Sequence, residues 1–126
     1  MKNIYLGLLI NLLSTAIHAQ GVSFEWARST GGTSTDFGTS ITTDASGNVF
    51  VTGYYRGTVD FDPGTGTVNL TSNGSSDVFI QKLDTGGTFI WANSMGGTSA
   101  DQGQSIITDA SGNLYTTGSF IGTADF

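Results

Sequence analysis

Charged side chains are scarce in this chain, which has four basic and ten acidic residues among 126. Several of them fall in two stretches dominated by Gly, Ser and Thr, residues 31–38 and 56–76. Long polar loops on a rigid scaffold carry binding residues more often than tight turns do. We therefore expect ligand contacts to come from the charged residues of these stretches. They are Asp36, Arg56, Asp60 and Asp62.

Two of these carboxylates resemble part of a calcium loop. Asp60 and Asp62 stand at alternate positions, the spacing at which an EF-hand loop presents oxygen ligands. Pro63 follows where further ligands of that pattern would stand. The simpler interpretation is that Asp62, Pro63 and Gly64 form a turn. We expect no metal site and no cofactor, with calcium at Asp60 and Asp62 as the alternative.

A second chemistry that carboxylates could perform is glycoside cleavage, which uses two carboxyl groups. Asp36 and Asp60 could be such a pair, but both have counterparts 65 residues later, Asp101 and Asp125. Carboxylates that recur in each copy of a repeat more often accept hydrogen bonds from turn amides. We therefore assign no catalytic residue. A polysaccharide hydrolase or lyase is the alternative function.

The N-terminal residues are typical of a secretory signal peptide. Lys2 precedes an apolar stretch, residues 4–17, and Ala19 followed by Gln20 is a plausible cleavage point. The stretch is shorter than the roughly 20 residues of a spanning helix. We expect cleavage after residue 19, export to the cell surface or medium, and no membrane span in the mature chain.

Composition excludes several classes of function for the mature chain. The only histidine, His18, lies in the predicted signal, and the chain has no cysteine. Thiol catalysis and disulfides are therefore excluded. Acidic residues far outnumber the remaining basic ones, whereas binding to nucleic acid needs clustered Lys and Arg. We expect no nucleic-acid partner.

An internal repeat dominates the sequence. The six residues TDASGN occur at residues 43–48 and again at 108–113, and the match extends from Trp26 with Trp91 to Phe61 with Phe126. All aligned pairs are 65 residues apart, and 23 of the 36 aligned positions are identical. Self-similarity at a fixed period indicates a repeat architecture.

Within one period the pattern predicts four short strands joined by tight turns. Turn chemistry at residues 44–47 and 84–87 predicts two hairpins, each with Asp first and a glycine near its end. The strands are rich in β-branched and aromatic residues. They are predicted at residues 40–43, 48–55, 77–83 and 88–94.

Both faces of these strands are apolar. Strict alternation puts Val49, Val51 and Tyr55 opposite Phe50 and Tyr54. In the fourth strand the same rule opposes Phe89 and Trp91 to Ile90 and Ala92, so both tryptophans of the repeat are expected in the core. A sheet that is apolar on both sides needs neighbours on both sides, which radially stacked blades provide.

The repeated strings GTSITTDASGNVFVTGYYRGTVDFDPG and GQSIITDASGNLYTTGSFIGTADF, with DVFIQKLDTGGTFIWANSMGG between them, resemble the SBBP repeat. This repeat is named for seven-bladed β-propellers. The resemblance implies an all-β propeller with blades of four antiparallel strands, and an exported bacterial protein. It carries over no catalytic residues. We therefore expect a non-catalytic binding scaffold for an extracellular protein or glycan.

The repeat divides the chain into four parts. Residues 1–19 form the signal, 20–38 an initial strand at Phe24 to Ser29 with an interblade loop, 39–94 a complete blade, and 95–126 a second loop with a partial blade. The chain then covers about one and a half blades. Since propellers close with four to eight blades, we expect the missing blades of the same polypeptide as partners.

Overall fold

The computed structural model describes Gly21 and residues 23–126; the predicted signal peptide lies outside these described residues. The described part contains ten β-strands and no helix. In chain order they are β1 Gly31–Gly32, β2 Phe37–Thr43, β3 Val49–Tyr55, β4 Thr58–Asp60, β5 Asn69–Thr71, β6 Asp77–Leu83, β7 Phe89–Gly97, β8 Gln102–Thr108, β9 Leu114–Ser119 and β10 Ala124–Asp125.

The first blade is an antiparallel meander of β2, β3, β6 and β7, in that order across the sheet. Each of the four predicted strands lies within one of these elements or overlaps it closely. The short strand β10 extends the sheet beyond β7. The all-β prediction with four antiparallel strands per blade is therefore confirmed.

Two tight turns connect the strands as the sequence predicts. The amide of Gly47 donates to the Asp44 carbonyl at 2.9 Å, and Gly47 has a φ of 80°. Asp44 Oδ1 also accepts the amides of Ser46 and Asn48. The turn from Asp84 repeats this geometry, with Gly87 at a φ of 77°. Glycine is required at these two positions because the left-handed region disfavours other residues.

The two faces of the blade bury separate clusters. On one face Tyr55, Val59, Phe61 and Phe79 form what we call the insertion cluster, because residues 56–76 contribute to it. On the other face Phe50, Ile80 and Ile106 form the interblade cluster. The predicted opposition of Phe50 to Val51 and Tyr55 is confirmed.

The predicted faces of the fourth strand are wrong. Lys82 pairs with Trp91 and Leu83 pairs with Phe89, so Ile90 is an extra residue in β7. This bulge breaks the alternation of side chains. Phe89 and Ala92 accordingly pack on the insertion cluster, while Trp91 packs on the interblade cluster. The ring centroids of Trp91 and Phe50 are 6.2 Å apart.

The second blade is represented by the hairpin of β8 and β9, which packs against the first blade. Thr39 Oγ1 donates to the carbonyl of Gly103 at 2.7 Å. The hydroxyl of Thr108 donates to the carbonyl of Thr43 at 2.9 Å. Ile106 is buried between the two sheets. Strands β2 and β8, which are equivalent in the repeat, are therefore neighbours.

The predicted initial strand at Phe24 to Ser29 is not formed in the structure. This segment instead crosses the turn that begins at Asp84. Trp26 Nε1 donates to the carbonyl of Thr85, and the Arg28 guanidinium donates to the carbonyl of Gly87. Trp26 is half-buried and Phe24 is exposed. The prediction of a core position at Trp26 fails because none of the described strands pairs with this segment.

Candidate functional site

Asp36 and Arg56 lie at the end of the first blade opposite the two tight turns, where β2 begins and β3 ends. Asp60 lies beside them on β4, whereas Asp62 follows Phe61 over the sheet face, where the Gln81 side-chain amide donates to the Phe61 carbonyl. We call this end the long-loop rim and define it by residues 29–36 and 56–64. A hairpin of β4 and β5, which sequence patterns missed, folds the long insertion over the sheet. Strand β1 pairs with β4, with Gly31 opposite Asp60. The topology therefore brings both polar stretches together, as the alternation of loops predicts.

Asp36 closes the interblade loop. Its Oδ2 accepts the Gly32 amide at 2.8 Å, and its Oδ1 accepts the Arg56 amide at 3.3 Å. Both carboxylate oxygens are thus engaged by backbone donors. Asp36 joins the loop before β2 to the segment after β3, which is the turn-holding role that the sequence favours.

Asp60 and Asp62 hold the bend that follows β4. Asp60 Oδ1 accepts the amides of Asp62 and Val68 at 3.0 and 2.8 Å. Asp62 Oδ1 accepts the amide of Gly64 at 2.8 Å. These contacts form the turn at Asp62, Pro63 and Gly64. Within the described part of the chain, no group of three or more His, Cys, Asp or Glu is placed to hold a metal ion.

Arg56 differs from the three carboxylates because its side chain is exposed. Its guanidinium makes no hydrogen bond or ion pair with the described residues, while its amide binds Asp36. Arg56 therefore presents a free cationic group at the long-loop rim.

An open groove of about 510 Å³ runs along the rim. Its walls are polar and include three glycines that leave the backbone accessible. Asp60 and Asp62 line it, whereas Asp36 and Arg56 do not. The lining residues are Ser29, Thr30, Gly31, Gly32, Asp60, Asp62, Pro63 and Gly64.

A second cavity, of about 270 Å³, lies between residues 26–30 and the sheet. Its walls are mainly apolar and include Ile41, Val51 and Tyr55, and its polar groups include Arg28, Asp36 and Gln81. Ile41 is 67% exposed. This face of the first blade is therefore only partly covered by the N-terminal segment.

The second copy of the repeat reproduces the Asp36 geometry. Asp101 Oδ2 accepts the Gly97 amide at 2.7 Å and its Oδ1 accepts the Ile121 amide at 2.9 Å. Asp101 is fully buried and has a second carboxylate, Asp77, beside it. Sequence reasoning did not single out Asp77, because an aspartate at the start of a strand gives no signal of burial.

No helix among the described residues has the length and apolar character needed to cross a membrane.

A four-stranded antiparallel sheet that packs face to face on a hairpin of the same sequence repeat, 65 residues later, is typical of a propeller-type repeat protein. The family model described as the SBBP beta-propeller repeat matches residues 25–54 and 90–119. The chain therefore contains two SBBP beta-propeller repeats, and the resemblance seen in the sequence is confirmed.

Among curated proteins, the chain is similar to an uncharacterized WD repeat-containing protein of Acanthamoeba polyphaga mimivirus. The two are 33% identical over 113 residues, which cover 79% of this chain and 8% of the viral protein. The chain thus spans a small fraction of the length of this relative. No solved structure gives a significant match.

Proposed function

We propose that this protein is an exported, non-catalytic propeller module that binds a protein or a glycan at its long-loop rim. The fold supports this class of function, because repeat propellers and WD repeats are interaction scaffolds built from stacked blades. Fold does not define a ligand, so any ligand is selected by the residues of the rim.

The contrast between the two ends of the blade carries the proposal. The opposite end consists of tight turns whose aspartates and glycines bond their own backbone. The long-loop rim instead has the polar groove and the free Arg56 guanidinium. Carboxylate and carbonyl oxygens in a groove accept hydrogen bonds from sugar hydroxyls or peptide amides, and an arginine can bind an acidic group.

The carboxylates favour binding over catalysis. Both oxygens of Asp36 already accept backbone amides, and one oxygen of Asp60 accepts two more. A carboxyl group that closes a loop in this way cannot move freely toward a glycosidic bond. The pair therefore serves as a framework for the rim.

Binding at the rim is tested with the full chain on glycan arrays and against purified extracellular proteins. We expect Arg56→Ala to weaken the binding of a ligand that carries an acidic group. Lys82→Ala is the matched control, because Lys82 is a basic residue near the opposite end, 3.9 Å from Asp44. Equal loss in both variants, or release of reducing sugar from a bound polysaccharide, would contradict a non-catalytic rim site.

Export is tested separately by N-terminal sequencing of protein recovered from the medium or the cell surface. The signal-like start predicts a mature chain that begins at Gln20. Retention of Met1 on exported protein, or recovery of the protein only inside the cell, would refute this part of the proposal.

A further inference from the structure

Two buried carboxyl groups meet where the first blade joins the second. Asp77 begins β6 and Asp101 ends the interblade loop, with 3% and 0% of their surfaces exposed. The backbone holds them close, because the Asp101 amide donates to the Ser76 carbonyl at 2.7 Å. A Cβ atom at Gly96 would lie 2.7 Å from Asp77 Oδ1 and 2.9 Å from Asp101 Oδ2. Both side chains therefore point to the same small space beside Gly96.

The hydrogen bonds of the two groups are unequal. Asp101 accepts one backbone amide at each oxygen, from Gly97 and from Ile121. Asp77 Oδ2 accepts the Asn73 amide at 2.9 Å. Asp77 Oδ1 is buried and has no hydrogen-bond partner among the described residues. Both carboxylate oxygens of Asp101 thus have a backbone donor, whereas only one oxygen of Asp77 has one.

Two ionised carboxylates in one buried space repel each other and lose the solvation of water. A single proton on the pair removes the repulsion and leaves only one buried charge, as happens in other closely spaced acid pairs. The unpartnered Oδ1 is the atom on which that proton would sit. We propose that Asp77 and Asp101 hold one proton between them, bound at Asp77 Oδ1, and that this proton makes the junction between the two blades sensitive to pH.

The surroundings support this assignment. Burial raises the pKa of Asp77, the Asn73 amide opposes that shift, and the negative charge of Asp101 raises the pKa further. Two other titratable groups of the described residues lie near the pair. Tyr55 pairs with Asp77 on the neighbouring strand, and Asp125 of β10 pairs with Gly96. The Tyr55 hydroxyl binds Ser94. No lysine or arginine among the described residues contributes to the pKa shift of Asp77.

The sign of the pH dependence follows from the raised pKa. The folded state binds the proton more tightly than the unfolded state, whose aspartates titrate at about pH 3.9. The stabilisation is therefore complete below that pH and is lost as the pH rises through the pKa of folded Asp77. At high pH the junction holds two buried negative charges.

The first test measures the urea midpoint of the full chain from about pH 4 to about pH 8, beside Asp77→Asn and Asp36→Asn. The midpoint of the unmodified chain should fall with rising pH. Asp77→Asn should remain level and exceed the unmodified chain at the high end, because an amide replaces the protonated acid. Asp36→Asn is the control, since Asp36 has the same two amide contacts as Asp101 and should keep the original slope.

The second test needs no stable variant. Infrared spectroscopy of the unmodified chain should show a protonated carboxylic acid band that persists above about pH 3.9, where solvated aspartates ionise, and the band should vanish at higher pH. Absence of the band overturns the proposal. A second outcome also overturns it: calcium stabilises the unmodified chain at high pH but does not stabilise Asp77→Asn. Asp77 Oδ1 would then be a cation ligand.

Discussion

Ile106 and Ile41 occupy the same position of the repeat but opposite environments. Ile106 is 2% exposed and packs with Phe50 and Ile80, whereas Ile41 is 67% exposed. Their strands are adjacent, since the Ser40 hydroxyl accepts the Ile106 amide at 3.3 Å. The same side chain therefore fills the space between two blades in one copy and lies on an uncovered face in the other.

This difference predicts unequal effects of one substitution. Ile106→Ala should lower the free energy of unfolding by about 2–5 kcal/mol, because it leaves a cavity in the interblade cluster. Ile41→Ala should change it by less than about 0.5 kcal/mol, as exposed positions do. Urea unfolding followed by tryptophan fluorescence measures both. Equal losses would show that Ile41 is covered in solution.

A glycine pair gives a second comparison between the copies. A Cβ atom at Gly103 would lie 2.5 Å from Thr52 Oγ1 and 2.9 Å from the Gly53 carbonyl oxygen. At Gly38, the equivalent residue, the nearest contact would be Val51 Cγ1 at 3.7 Å. Gly103→Ala should therefore destabilise by about 1–3 kcal/mol through overpacking. Gly38→Ala should be close to neutral. A neutral Gly103→Ala would contradict the close approach of the two blades.

The turn aspartates predict a loss of stability in acid. The side chain of Asn48 holds the pKa of Asp44 low, the Thr88 amide does so for Asp84, and the side chain of Asn113 does so for Asp109. A lowered pKa contributes stability above about pH 3.9 that is lost as the pH falls through the folded value.

Thermal unfolding of turn variants separates hydrogen bonding from charge at Asp44. Asp44→Ala should lower the melting temperature more than Asp44→Asn, because the amide oxygen of asparagine still accepts the turn amides. The acid-side slope should become shallower in both variants. Identical melting temperatures for the two variants would mean that charge alone stabilises this turn.

Exposed apolar side chains predict self-association of residues 20–126. Phe37, Ile107 and Tyr115 are 50%, 59% and 53% exposed, in addition to Ile41. Apolar faces and open sheet edges promote association. Light scattering should show oligomers that grow with concentration, and Ile41→Glu should reduce them. A monodisperse monomer with one sharp unfolding transition would contradict an open propeller segment. Because oligomers are expected, the stability measurements above should be made at the lowest practical protein concentration.

The sequence by itself determined the features that depend on near neighbours in the chain. The 65-residue period, the four strands and the tight turns follow from local residue types, as at Asp44 and Asp109, whose turn hydrogen bonds are identical. The gathering of Asp36, Arg56 and Asp60 at one end was also predictable, because connections in a meander alternate between the two ends.

Only the tertiary structure decided what depends on distant partners. The extra residue Ile90 turned Trp91 to the interblade face, although nothing in the local pattern marks a bulge there. The segment around Trp26 repeats a strand sequence but forms no strand, because none of the strands in the described part of the chain pairs with it. Asp77 and Asp101 became a buried pair because two blades close over them, and burial is a property of the packed chain rather than of either residue.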